Sequence, residues 1–167
     1  MRHFTIIFTC SFLCFFKAKS QVDSLFQFPI VNVKVTLNKN VFKAGSDIRL
    51  TMTLRNLLNS EQSVWFDRPK SSTGGPAWTS VSLTNKKTGK SVLEYDSKAT
   101  LESQIYSTDE VKKLSYNLKP GQKVSGQFSL YDLVVLKNYK HKLDRGNYEM
   151  EIFYYLNSSG KISFTID

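Results

Sequence analysis

With 167 residues, of which 23 are Lys or Arg and 14 are Asp or Glu, the chain is one domain's worth and carries a formal charge of +9. That length buries a core without disulfide support. The densest basic groups are Lys86-Lys87, Lys112-Lys113 and the set Lys137, Lys140, Lys142 and Arg145. None is interleaved with aromatics, which argues against a nucleic-acid platform and for a solvated, aggregation-resistant surface.

Residues 1–20 read as a signal peptide. Met1-Arg2-His3 gives a positive start, residues 4–16 form an apolar run, and Ala18-Lys19-Ser20 supplies small residues for cleavage. The run is too short to span a bilayer as a helix. Lys17 and Lys19 leave a retained amphipathic anchor open, while Thr9 and Leu13 argue against lipidation at Cys10 or Cys14. Both cysteines lie in the leader, so the mature chain has no thiol for a disulfide or a thiolate metal site. A disulfide-free exported domain points to a bacterial envelope, periplasmic or secreted. Cleavage leaves 20 basic against 14 acidic side chains, a formal +6.

Residues 21–30 read as a short tether, and residues 31–167 as the folded domain. Val31, Val33, Val35 and Leu37 alternate with polar residues, the signature of a half-buried strand. After a turn at Asn38-Lys39-Asn40, Ile48, Leu50, Met52 and Leu54 repeat the pattern more clearly, with Arg49, Thr51, Thr53 and Arg55 outward. A polar loop over residues 56–62 leads to a short strand, Ser63-Val64-Trp65-Phe66, in which Trp65 is expected in the core between two sheets. Residues 67–76 are too rich in Gly, Pro and Ser for regular structure. Arg68 within this loop and Trp78 at its base are the candidate partner-binding residues: by parity with Val81 and Leu83, Trp78 faces away from the core. An outward Trp beside Arg can anchor in a protein partner or stack on a sugar ring.

Residues 81–83 and 91–95 flank Asn85-Lys86-Lys87-Thr88-Gly89-Lys90, which predicts a β-hairpin. Residues 96–110 read as a long connection with a strand near Gln104-Ile105-Tyr106. Leu114, Tyr116 and Leu118 alternate, Lys119-Pro120-Gly121-Gln122 is a turn, and residues 124–130 form the next strand. Residues 131–142 have room for one helical turn, since Leu133 and Leu136 are three apart.

The chain then reaches Leu143-Asp144-Arg145-Gly146-Asn147-Tyr148, read as a tyrosine corner, in which a Tyr opening the penultimate strand bonds to backbone a few residues upstream. Asp144 and Gly146 supply the turn and Tyr148 the ring. Tyr148, Met150, Ile152 and Tyr154 share one face of the strand, while Asn147, Glu149 and Glu151 share the other. Phe153 and Tyr155 have the outward parity, an interface if exposed together and a satellite core if covered. Residues 157–160 are expected to join this strand to a last one built on Ile162, Phe164 and Ile166.

Seven to nine short strands with turns about every ten residues predict an all-β, antiparallel immunoglobulin-like sandwich. The order Phe42-Lys43-Ala44-Gly45, then Leu54-Arg55-Asn56, then Leu118-Lys119-Pro120-Gly121, then Leu143 to Tyr148 resembles bacterial immunoglobulin-like modules. It is similar to the non-catalytic sandwich of deuterolysin-type metallopeptidases and, more loosely, to the intracellular proteinase inhibitor family. The matching residues are those of turns and core, so the resemblance implies a fold.

No chemistry of sites stands out. The mature chain has one imidazole, His141, between Lys140 and Lys142 in a polar loop. Glu149 and Glu151 lie on an outward strand face rather than in a cleft. Gly74-Gly75 lacks the Lys-Ser/Thr and helix of a phosphate loop, and the acids are too dispersed for calcium. The expectation is a non-enzymatic module without cofactor or metal, binding an unidentified protein or carbohydrate partner through loops at one end of the sandwich. The alternatives are an inhibitor or accessory protein of a secreted hydrolase, and a structural spacer joined by β-augmentation.

Overall fold

The computed structural model describes residues 28–66, 79–94, 113 and 115–167. The residues read as a signal peptide, most of those read as a tether, Arg68 and Trp78 with the loop expected around them, and the strand expected near Gln104 lie outside the described residues.

Period-two alternation places the core. In β1 (Asn32–Leu37), Val33 and Val35 turn inward; β2 (Val41–Phe42) contributes Phe42; and β3 (Arg49–Arg55) buries Leu50, Met52 and Leu54. Each side chain of this size taken out of water contributes about 1.5–3 kcal/mol. Then come β4 (Gln62–Trp65), β5 (Thr79–Asn85), β6 (Lys90–Ser91), β7 (Ser115–Leu118) and β8 (Lys123–Ser129). A helical turn, α1 (Leu130–Leu133), and a 3-10 turn (Lys137–Tyr139) precede β9 (Gly146–Tyr154) and β10 (Asn157–Ile166). The short helical segment expected in residues 131–142 is therefore present as two single turns.

The strands form a three-stranded sheet β1-β3-β8, a five-stranded sheet β2-β10-β9-β5-β6, and a two-stranded ribbon β4-β7. The first corresponds to the A-B-E strands of immunoglobulin-type sandwiches and the second to their G-F-C sheet. All pairings are antiparallel except β2 with β10, which is parallel. The fold is thus the expected all-β sandwich, with two corrections: one parallel pair, and ten strand segments among the described residues rather than seven to nine. The extra segments, β2 and β6, have two residues each, too few to leave a period in the sequence.

Three local expectations are corrected. Trp65 is not a core residue: Val64 and Phe66 take the buried positions, so the intervening ring lies half-buried on the other side of the strand. The second arm of the hairpin ends at Ser91, after which Leu93 bridges Leu136. The β9–β10 connection is a two-residue turn at Tyr155 and Leu156, and Gly160, at φ +72°, serves instead the register shift between Ser158 and Lys161.

Candidate interaction surfaces

The tyrosine corner fixes one end of the sandwich. Tyr148 Oη donates to the Asp144 carbonyl at 2.8 Å, and its ring, 2% exposed, stacks on Phe164 with centroids 5.6 Å apart. Burial raises the Tyr148 phenol pKa, with the Asp144 carboxylate adding to the effect. Gly146 has φ +154°, where a Cβ would meet Asn85 Nδ2 at 3.4 Å and the Tyr148 hydroxyl at 3.6 Å, so the corner requires glycine there. The Asp144 carboxylate itself lies outside the corner, paired with Lys140 on the surface.

A second phenol, which the sequence placed only as an inward residue, ties the ribbon to the large sheet. Tyr154, fully buried in β9, donates to the Trp65 carbonyl at 3.0 Å and accepts from the Trp65 amide at 2.8 Å. Burial pushes its pKa far above the usual phenol value. Asn56 plays a comparable part at the end of β3. It is fully buried; Nδ2 donates to the Ser60 and Leu118 carbonyls at 2.8 Å each, and Oδ1 accepts from the Leu58 amide at 2.9 Å.

These ties organise the end of the sandwich opposite the corner. There the start of β1, the β3–β4 loop, the β7–β8 turn and the β9–β10 turn come together. Asn157 joins two of them, its Nδ2 donating to the Pro29 and Tyr154 carbonyls, while Ile30 N donates to Gln62 Oε1. Arg55 Nε reaches the Gly121 carbonyl, and the Asn56 backbone pairs with Gly121 and Gln122. The same end exposes Phe28 (52%), Ile30 (61%), Leu57 (61%) and Leu156 (85%). Tyr155 is half-buried between Phe28 and Tyr154, its pKa pushed up to about 12 by burial. Phe153 is half-buried on the outer face of β9, so these two residues are neither open together nor fully covered. Arg68 and Trp78 lie outside the described residues, but Thr79, which follows Trp78, pairs with Tyr154 at this end.

Two surface concavities lie among the described residues. One, of about 420 Å³, follows β8 from Val124 to Ser129 and is walled by Phe66 and Tyr116. The other, of about 470 Å³, lies by Val41, Lys86, Lys87 and Asn147 near the corner end. On the outer face of β9, Glu149 pairs with Lys161 at 2.8 Å, a contact that lowers the carboxyl pKa, and Glu151 accepts from the Ser158 hydroxyl. A carboxyl so held stays ionised at neutral pH, so Glu149 has no proton to give as a general acid. His141 is exposed. Among the described residues there is no group of three or more metal-ligating side chains, and no helix long and apolar enough to cross a membrane.

The fold thus defines an all-β sandwich with immunoglobulin-type strand order. No protein-family model matches the chain, and no curated protein matches it. Among solved structures, a β-glucosidase from Listeria innocua in complex with gluconolactone is similar over 84% of this chain, at 7% identity and TM-score 0.45. The chain spans only 17% of that enzyme's length. The CARDB domain of a Pyrococcus furiosus protein, in complex with di-metal ions, matches 85% of this chain and 91% of its own, at 12% identity and TM-score 0.40. The alkylpurine DNA glycosylase AlkC of Pseudomonas fluorescens matches 81% of this chain and 30% of its own, at 14% identity and TM-score 0.42.

Proposed function

We propose that the chain is an exported, non-catalytic binding module whose contacts are made by the loops at the end of the sandwich opposite the tyrosine corner. The observation that carries this reading is the gathering of Phe28, Ile30, Leu57 and Leu156, all more than half exposed, on three segments at that one end. Scattered single apolar residues are ordinary on a protein surface, whereas several at one place mark a contact. The rigid sheets hold these loops in place.

The test is capture from the native envelope and secreted fraction by the exported chain. Leu57→Ser combined with Leu156→Ser abolishes capture, while Val41→Ser, at the corner end, leaves it intact. Equal loss from the two changes refutes the assignment of the end.

A second reading, augmentation by an extended partner segment, is favoured by one observation. Among the described residues β8 pairs only with β3, and the 420 Å³ groove follows β8 along six consecutive residues. Slowed amide exchange confined to β8 on adding a partner supports it; unchanged exchange there removes it.

A further inference from the structure

We infer that the partner of this end is a lipid bilayer surface bearing anionic head groups, an inference that rests on the contact end proposed above. The exposed apolar residues there are chiefly aliphatic: Ile30, Leu57 and Leu156 offer no flat ring on which a sugar could stack. They stand on loops and turns rather than lining a groove, and Leu156, 85% exposed, occupies the tip of a two-residue hairpin turn. Protruding aliphatic tips suit a fluid apolar medium that closes around them.

The turn is built to hold that tip out. Tyr155 adopts φ +50°, a left-handed conformation unusual for an aromatic residue, and persists there because its surroundings fix it. Its ring packs on Tyr154 and Phe28, and Asn157 ties the turn to Pro29. Tyr155, next to Leu156 in the turn, and Phe28 against it add two aromatic rings beside the aliphatic tip, the side-chain type that settles at a membrane boundary.

Charge is complementary to the same partner. Arg55 pairs in register with Lys123, and its side chain reaches the turn carrying Lys119, so three exposed cations flank Leu57. One acid, Glu61, stands on the same loop as Leu57, so the cations outnumber it three to one. Basic side chains around an apolar tip are the combination that binds anionic leaflets. The chain before Phe28 also joins the domain at this end and contains the apolar run of residues 4–16.

Among the described residues the buried core runs from Val31 to Ile166, so residues 21–167 contain that core and are the form to test without the leader. The experiment is co-sedimentation with phosphatidylcholine vesicles, with and without phosphatidylglycerol. The exported chain is expected to sediment with the anionic vesicles and far less with the neutral ones. Leu57→Ser with Leu156→Ser weakens binding roughly ten-fold or more, with thermal unfolding unchanged. Arg55→Gln, Lys119→Gln and Lys123→Gln each weaken binding to anionic vesicles roughly five-fold. Absence of binding to either vesicle, or undiminished binding by the leucine variant, overturns the inference. If vesicles are ignored while the leucine variant still loses a captured protein, the lipid assignment falls and the contact end stands.

Discussion

Removing a single oxygen from Tyr154 tests how the ribbon β4-β7 is held to the rest of the sandwich. Tyr154→Phe keeps the buried ring and deletes both bonds to Trp65, at 2.8 and 3.0 Å. Each bond contributes about 0.5–1.5 kcal/mol net, and a buried partner stranded by the change raises the figure, so the loss is about 2 kcal/mol. In a domain of this size that lowers Tm by roughly 4–8 °C. Tyr148→Phe deletes the bond to the Asp144 carbonyl and the contact of the hydroxyl with the Asn85 side chain, and costs about 1–2 kcal/mol. Urea unfolding followed by far-ultraviolet circular dichroism, with an unchanged m-value, supplies both numbers. A Tyr154→Phe loss below about 0.5 kcal/mol would refute the reasoning.

Further outcomes follow from the same contacts. Asn56→Ala removes three side-chain hydrogen bonds at a fully buried position and is expected to cost about 2–4 kcal/mol in the same assay; a near-neutral result contradicts the role given to that side chain. Gly146→Ala forces a side chain into φ +154° against Asn85 and is expected to destabilise by about 1–3 kcal/mol, whereas Gly160→Ala leaves its Cβ in open space and costs less. Tyr154 and Tyr155 both have pKa values raised in the fold, Tyr155 to about 12, so their contribution is intact below the unfolded phenol value near 10. As pH climbs from there toward 12 the unfolded chain ionises first and stability falls. Phenolate absorbance should show these tyrosines titrating late, and a flat stability profile above pH 10 contradicts their burial. Glu149→Gln breaks only an exposed pair with Lys161 and is expected to leave Tm unchanged.

What the sequence made legible was whatever repeats every two residues. Ile48, Leu50, Met52 and Leu54, and again Tyr148, Met150, Ile152 and Tyr154, announce their buried faces because a strand sorts side chains by parity. The corner was readable because its parts, Asp144, Gly146 and Tyr148, sit within five residues. Trp65 departs from the general habit of sandwiches because Val64 and Phe66 claim the inward positions on either side of it. The turn at Tyr155 and Leu156 was hidden because Gly160 advertises a reversal that the chain spends on a register shift. The partners of Asn56 and Tyr154 were invisible for another reason: Leu118 is 62 residues from Asn56, and Trp65 is 89 from Tyr154. The aliphatic residues of the proposed contact end come from three distant stretches that only the fold assembles, and the Arg68 and Trp78 singled out in the sequence lie outside the described residues.

The most direct measurement of the central claim is amide hydrogen exchange of residues 21–167, free and bound to anionic vesicles. Slowed exchange is expected at residues 28–32, 56–62 and 155–157, with residues 38–47 and 143–146 unchanged. Protection at those corner-end segments instead, with the Leu57 and Leu156 loops unaffected, would contradict the account.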